Sequence, residues 1–248
     1  MARLLIGTSG WAYSSWKGPF YPEDLPNRRY LEFYAREFST TEVNYSFYHV
    51  PRTSTYEKWA AQVPESFIFA LKASRFITHV KRLTAVRRAW VTFVQNARTL
   101  GSHLGPVLLQ FPPSFRFDRR SLTVFLESVR RPVAKSSPVR LVFEFRHESW
   151  FTEEVYAILR QHNAALCIAD SPQYPRRDVV TAGFVYFRFH GRTDLFASKY
   201  TEAELTEEAQ RIRRCLRDGL DVYAYFNNDA LGHAVANARM LQRMVQGS

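Results

Sequence analysis

Short runs of apolar, β-branched and aromatic residues recur along this chain at intervals too long for hairpins, and amphipathic stretches fill most of the gaps. That alternation predicts βα units and a parallel sheet. Eight runs read as strands: Leu4–Thr8, Thr41–Tyr45, Phe67–Ala73, Val107–Gln110, Arg140–Phe145, Ala165–Ala169, Val185–Phe189 and Val222–Phe226. Helices are predicted near 28–38, 53–62, 79–100, 118–130, 152–162, 202–218 and 230–245, while the stretch after the sixth strand is polar and broken by prolines, leaving its helix doubtful. Start signals support three boundaries: Asp118 ahead of Leu122, Thr152 ahead of Glu153-Glu154, and Thr201 with Glu204 three residues on as a capping box.

Eight βα repeats predict a single (β/α)8 TIM barrel of the α/β class, one domain over residues 1–248. A doubly wound open sheet is the competing fold, and the first strand lacks the GxGxxG turn that its dinucleotide-binding form would carry. A length of 248 residues with 46% apolar content suits one such barrel. No window of ~18 apolar residues is present to span a bilayer, and the N-terminal run reaches Gly7 before a secretory apolar region can form. The expectation is a cytoplasmic protein without a membrane partner.

Two cysteines, Cys167 and Cys215, are too few for a disulfide framework and read as buried thiols. The net charge of +11 is carried by 28 arginines against 6 lysines. It favours anionic partners only if the charges converge on one face, and most of the arginines fall at helical spacing suited to a solvated exterior. Nucleic acid is therefore an allowed but not a favoured partner, and the oligomeric state stays open.

In a barrel of this kind, residues at the C-terminal ends of the strands face the active-site mouth. Here they are unusually polar: Ser9 with Trp11, Tyr13 and Trp16; Glu42, Asn44, Phe47 and Tyr48; Lys72; Gln110; Glu144, Arg146 and His147 with Trp150; Asp170; Arg188 and His190; Asn227 and Asn228. Charged and amide side chains seldom sit in strand interiors unless paired or functional.

The same motifs resemble the DUF72 (YecE-like) family almost end to end. The resemblance rests on Gly7-Thr8-Ser9-Gly10-Trp11 with Trp16-Lys17-Gly18, Glu42-Val43-Asn44 with Phe47-Tyr48, Phe69-Ala70-Leu71-Lys72-Ala73, Leu109-Gln110-Phe111-Pro112-Pro113, Glu144-Phe145-Arg146-His147 with Ser149-Trp150, Arg188-Phe189-His190-Gly191, and Phe226-Asn227-Asn228 with His233 and Asn237. It implies a TIM barrel and no assigned activity. Tyr45 departs from the small hydroxyl residue that the family pattern often has after Asn44.

Glu42 and Glu144 are the first candidates for acid–base work, since a carboxyl in a partly apolar mouth can be raised toward neutrality; an internal salt-bridge network is the alternative. Lys72 suits a Schiff-base amine only if buried among apolar neighbours, and flanking carboxylates would keep it protonated. Arg146 and Arg188 suit bidentate capture of carboxylate or phosphate. His147, His190 and Asp170 are candidates for proton shuttling, with structural hydrogen bonding as the alternative. Trp11, Tyr13, Trp16, Tyr48 and Trp150 either stack on a ligand or cap the mouth, and Asn44, Gln110, Asn227 and Asn228 bind either a ligand or neighbouring loops.

These residues predict a cofactor-independent enzyme acting on a small phosphorylated or carboxylated ligand, held by Arg146, Arg188 and Lys72, with Glu42 or Glu144 transferring a proton. No cofactor and no metal are expected. One alternative is a metal-dependent phosphodiesterase on nucleic acid, using Glu144, Asp170 and His190. The other is a non-enzymatic protein that binds a ligand or stacks single-stranded nucleic acid on the mouth aromatics. Nucleophile elbow, Walker loop and nicotinamide fingerprint are all missing from the sequence, which removes serine hydrolases, kinases and dehydrogenases.

Overall fold

Because a β-strand sends alternate side chains to opposite faces, each run in this chain contributes one set to the barrel interior and one set to the layer beneath the helices. The computed structural model describes residues 2–130 and 138–247. Its strands are β1 (Leu4–Ser9), β2 (Thr40–Val43), β3 (Ile68–Lys72), β4 (Leu104–Gln110), β5 (Leu141–Glu144), β6 (Ala165–Asp170), β7 (Phe184–Phe189) and β8 (Asp221–Phe226). All neighbours pair in parallel, and β8 closes on β1 with Thr8 opposite Phe226. Every predicted run overlaps one strand of this closed barrel.

The helices are α1 (Tyr30–Tyr34), α2 (Tyr45–Tyr48), α3 (Thr53–Ala60), α4 (Arg87–Ala97), α5 (Arg119–Arg130), α6 (Glu153–Gln161), α7 (Glu202–Arg217) and α8 (His233–Gln246). Three start signals work as the sequence suggests: Asp118 accepts from Ser121 N at 3.0 Å, Thr152 accepts from Val155 N, and Thr201 with Glu204 forms a capping box. The stretch between β6 and β7, whose helix is doubtful from the sequence, forms none. Two details differ from expectation. The chain turns into α2 at Asn44, so β2 stops at Val43. The helix expected over 79–100 starts only at Arg87, because Phe76–Val80 makes a single π turn and Arg82, Leu83 and Ala85 adopt positive φ.

The barrel interior begins as packed apolar layers, with Leu5, Ile68, Leu108, Val142, Cys167, Phe184, Tyr186, Tyr223 and Tyr225 in one cluster. A second, larger cluster fills the space between strands and helices and includes Phe69, Trp90, Phe125 and Leu241. Gly7 is dictated by the closure of β1 on β2, since a Cβ there would stand 2.1 Å from the Thr40 carbonyl oxygen. Following the inward parity to the C-terminal ends, the interior turns polar: Leu5 leads to Ser9, Thr40 to Glu42, Ala70 to Lys72, Leu108 to Gln110, Val142 to Glu144 and Tyr186 to Arg188. Among the described residues no helix is long and apolar enough to cross a membrane.

Candidate functional site

Arg188 stands at the centre of this polar layer and is 1% exposed. A buried guanidinium must be neutralised and hydrogen-bonded, and two fully buried carboxylates meet it. Nη2 donates to Glu42 Oε1 at 2.7 Å and Nη1 to Glu144 Oε2 at 2.5 Å. Glu42 also accepts from Ser9 Oγ at 2.5 Å and from Tyr186 OH at 2.6 Å. Glu144 takes a second guanidinium, Arg146, whose Nε donates to Oε1 at 2.8 Å while its plane lies 4.1 Å from the Tyr174 ring centroid. The result is a charge-balanced chain, Glu42–Arg188–Glu144–Arg146, spanning strands β2, β7 and β5.

Above the chain opens a cavity of about 550 Å³, lined among others by Lys72, His79, Gln110, Arg146, Phe196 and Asn227. Another hollow, of about 530 Å³, lies at the opposite end of the barrel around Arg3, Arg140 and Tyr223. There Arg140 is already paired with Asp221 at 2.7 Å, and barrel chemistry belongs to the strand C-terminal ends.

Burial alone would raise both glutamates, but the guanidiniums outweigh it. Arg188, with the Ser9 and Tyr186 hydroxyls, holds Glu42 below the usual carboxylate range, and Arg188 with Arg146 holds Glu144 well below it. Both carboxylates are therefore ionised at neutral pH, opposite to the raised values expected from an apolar mouth. Lys72 behaves in the reverse sense to its expectation too. Since the arginines have claimed the carboxylates, no carboxylate oxygen lies within 4 Å of Lys72 Nζ among the described residues, and the ammonium sits 4.3 Å from the Phe47 ring centroid. Burial, then the Arg188 charge, brings its pKa down to about 7, against an opposing pull from Glu144 and Glu42.

His190 is fully buried. Its Nδ1 meets Asn227 Nδ2 at 3.2 Å; with the amide as donor, the ring proton falls on Nε2, which faces Glu144 Oε1 across 3.6 Å without a hydrogen bond. Burial and then Arg188 bring this imidazole down to about 4. Asn44 Oδ1, Arg188 Nε and His190 Nε2 are buried polar atoms left without a partner among the described residues, all in this one region.

The structure thus gathers Glu42, Asn44, Tyr13, Tyr48, Lys72, Gln110, Glu144, Arg146, Arg188, His190 and Asn227 around one mouth. It sends the other candidates elsewhere. His147 caps the turn at Glu148–Trp150, its Nδ1 accepting from Ser149 N at 3.1 Å. Trp150 is fully buried, stacked on Phe145 at 4.1 Å with Nε1 donating to Phe115 O. Trp16 is equally buried and donates to Asp229 O, and Trp11 packs edge-on against Trp59 outside the barrel wall. Asn228 ties the β8 loop to Ser198 O and Asn237.

Asp170 faces away from the mouth, bonded to Arg176 at 2.9 Å and Arg192 at 3.2 Å, and these arginines share Glu208. With Asp170 and Glu144 each claimed by guanidiniums, no group of three His, Cys, Asp or Glu gathers to hold a metal among the described residues. His79, Tyr174 and Phe196 belong to the site but escaped the sequence reading. His79 lay inside the helix expected over 79–100, and the other two sit in loops without a motif.

The family model described as "Protein of unknown function DUF72" matches residues 5–248. A crystal structure of a DUF72 family protein from Thermotoga maritima MSB8 is 30% identical, with a TM-score of 0.80, covering 98% of this chain and 99% of the other. One from Enterococcus faecalis V583 is 21% identical with a TM-score of 0.82, over 100% of this chain and 96% of its own, and bears on the fold alone. The UPF0759 protein YunF of Bacillus subtilis (strain 168) is 22% identical over 98% of this chain and 94% of its own length. With its eight parallel strands and an end-to-end match of this kind, the chain belongs to the DUF72 family.

Proposed function

We propose that this protein is a cofactor-independent enzyme that binds a small carboxylated or phosphorylated ligand at the C-terminal mouth and acts on it by acid–base chemistry. The observation that carries this reading is the division of charge. Arg188 is consumed by Glu42 and Glu144, whereas among the described residues Arg146 bonds Glu144 only through Nε, leaving Nη1 and Nη2 without partners beside a Lys72 that makes no ion pair. Although Asp229 also lines the cavity, the unfilled guanidinium donors of Arg146 suit an anion from outside. The proton-transfer role passes from the glutamates to Lys72, since a group with a pKa near 7 can give and take a proton at neutral pH, and strongly paired carboxylates cannot.

Thermal shift against phosphate, pyruvate, lactate and phosphorylated sugars tests it. A ligand at 100 times its Kd should add about 2.7 kcal/mol to stability, and the gain should vanish in Arg146→Met. No response to any anion would refute the reading. One observation favours a second reading: Tyr45, Tyr48 and Phe76 are 51%, 70% and 45% exposed on the rim, with Arg52, Arg75 and Lys81 exposed nearby. Such a lip suits bases stacked along a single strand. Salt-sensitive stabilisation by a short oligonucleotide, lost in Tyr48→Ala but kept in Arg146→Met, would replace the small ligand with nucleic acid.

A further inference from the structure

We infer that Lys72 is a carbonyl-capturing amine, and that the ligand of the mouth is a small aldehyde or ketone bearing a carboxylate or phosphate, held as an iminium on Nζ. This rests on the anion-binding reading above and names the substrate class for it.

Two conditions make a lysine amine nucleophilic at neutral pH: loss of solvent, and cationic rather than anionic company. Lys72 meets the first in part, and the second through the arginines that neutralise Glu42 and Glu144 beside it. It is half-buried at the end of β3, with its Nζ over the Phe47 ring and without a hydrogen-bond partner among the described residues. The carboxylates that would keep it protonated are held beneath it by Arg188 at 2.7 and 2.5 Å and by Arg146 at 2.8 Å. A structural lysine at this place would be expected to pair with one of them. The groups facing it are Glu42 from β2, Arg188 from β7, Glu144 and Arg146 at the end of β5, and His79 from the π turn, whose ring is itself driven to about 4 by burial and then by Lys72; Tyr13 after β1 and Asp229 after β8 line the same cavity. The lowered pKa of Lys72 agrees with that arrangement.

The chemistry balances without an oxidant or reductant. The Nζ lone pair forms a C–N bond to the carbonyl carbon as the C=O π pair moves to oxygen and takes up a proton. The amine then loses a proton, and the carbinolamine hydroxyl leaves as water on protonation. A C=N⁺ iminium remains, which water hydrolyses back to amine and carbonyl. The anionic group of the substrate lies against Arg146, so capture and binding use different atoms of the same cavity.

The test is reductive trapping on the full-length protein. Pyruvate with cyanoborohydride should leave a reduced pyruvyl adduct that peptide mapping places on Lys72. At pH 7 it should form at least ~10-fold faster there than on any other lysine, because an ordinary lysine with pKa near 10.4 is almost wholly protonated. The Lys72 rate should rise between pH 6 and 8 and then level. Acetone, which lacks the anion, should trap far more slowly, and Lys72→Arg should lose the adduct. Wild-type mapping decides the matter even if that variant folds poorly. Adducts spread over exposed lysines such as Lys58 and Lys81, or none at all, would overturn the inference. If phosphate and lactate then still stabilise the wild type through Arg146, the anion-binding reading survives alone; if they do not, both fall.

Discussion

Lys72 shows at the scale of one residue how a half-buried amine destabilises the fold that holds it. Its ammonium is half-buried without a counter-ion among the described residues, so folding disfavours the proton: the pKa falls from about 10.4 in the unfolded chain to about 7 in the fold. The resulting penalty is fully present below pH 7 and is removed as pH climbs toward 10.4, because over that window the unfolded chain binds the extra proton. Lys72→Met, of similar length and adaptable in shape, should raise stability at pH 7 by roughly 1–3 kcal/mol, with the gain shrinking toward zero at pH 10. Urea unfolding at the two pH values measures it. A loss of stability at pH 7 would mean that Lys72 is paired in solution. Arg188 is the counterpart, since it sits between two carboxylates. Removing it leaves buried charges uncompensated, a change that typically costs roughly 3–5 kcal/mol.

At the scale of elements, the segment between β3 and α4 is the least expected part of the chain. Phe76–Val80 forms a π turn, and Arg82, Leu83 and Ala85 have φ of 47°, 69° and 52°. Left-handed backbone is costly for a residue with a Cβ, by about 1–2 kcal/mol, and such strain gathers where a loop is held for use. Here the segment supplies His79 and Phe76 to the mouth and its rim. Ala85 is exposed, so Ala85→Gly removes the steric cost with little lost packing and should stabilise by up to about 1 kcal/mol. A shift of a degree or two upward in Tm without change in ligand response would bear this out. No glycine or asparagine marks these positions, and Arg82, Arg87 and Arg88 fall at helical spacing, so the turn could not be read from sequence.

The strands were legible for the opposite reason: each is a dense apolar run, and burial on both faces leaves little else for it to form. Which polar residues face the mouth was legible in part. The pleat puts Val142, Glu144 and Arg146 on one face and leaves His147 on the other; it separates Asn227 from Asn228 and Ala169 from Asp170 in the same way. Counting parity along β5, β6 and β8 would have set aside His147, Asp170 and Asn228. Parity does not say that Arg188 takes both glutamates and leaves Lys72 alone. That outcome depends on side chains from β2, β5 and β7 meeting across the barrel, which no local pattern encodes.

For the whole molecule, these titrations combine into an unusual dependence of stability on pH. On the acid side, Glu42 and Glu144 have depressed values because of Arg188 and Arg146. Their contribution is present above the unfolded carboxylate value of about 4.3 and is lost as pH falls through the lower folded values. The net charge of +11 adds repulsion as the remaining carboxylates protonate. Above pH 7 the Lys72 penalty fades, so stability rises again. Buried phenols set the upper limit. Burial pushes Tyr34 up to about 12 and raises Tyr186 and Tyr225 further, so from about pH 10 the unfolded chain ionises its tyrosines while the fold keeps them neutral, and stability falls. The maximum should therefore lie near pH 8–10, above the common range of about 5–8. Unfolding free energies measured from pH 3 to 11 should show it, and Lys72→Met should flatten the rise between pH 7 and 10 while leaving the acid limb unchanged. A wild-type maximum at pH 5–7 would instead mean that a counter-ion reaches Lys72 in the folded protein, removing both the alkaline rise and the free amine on which carbonyl capture depends.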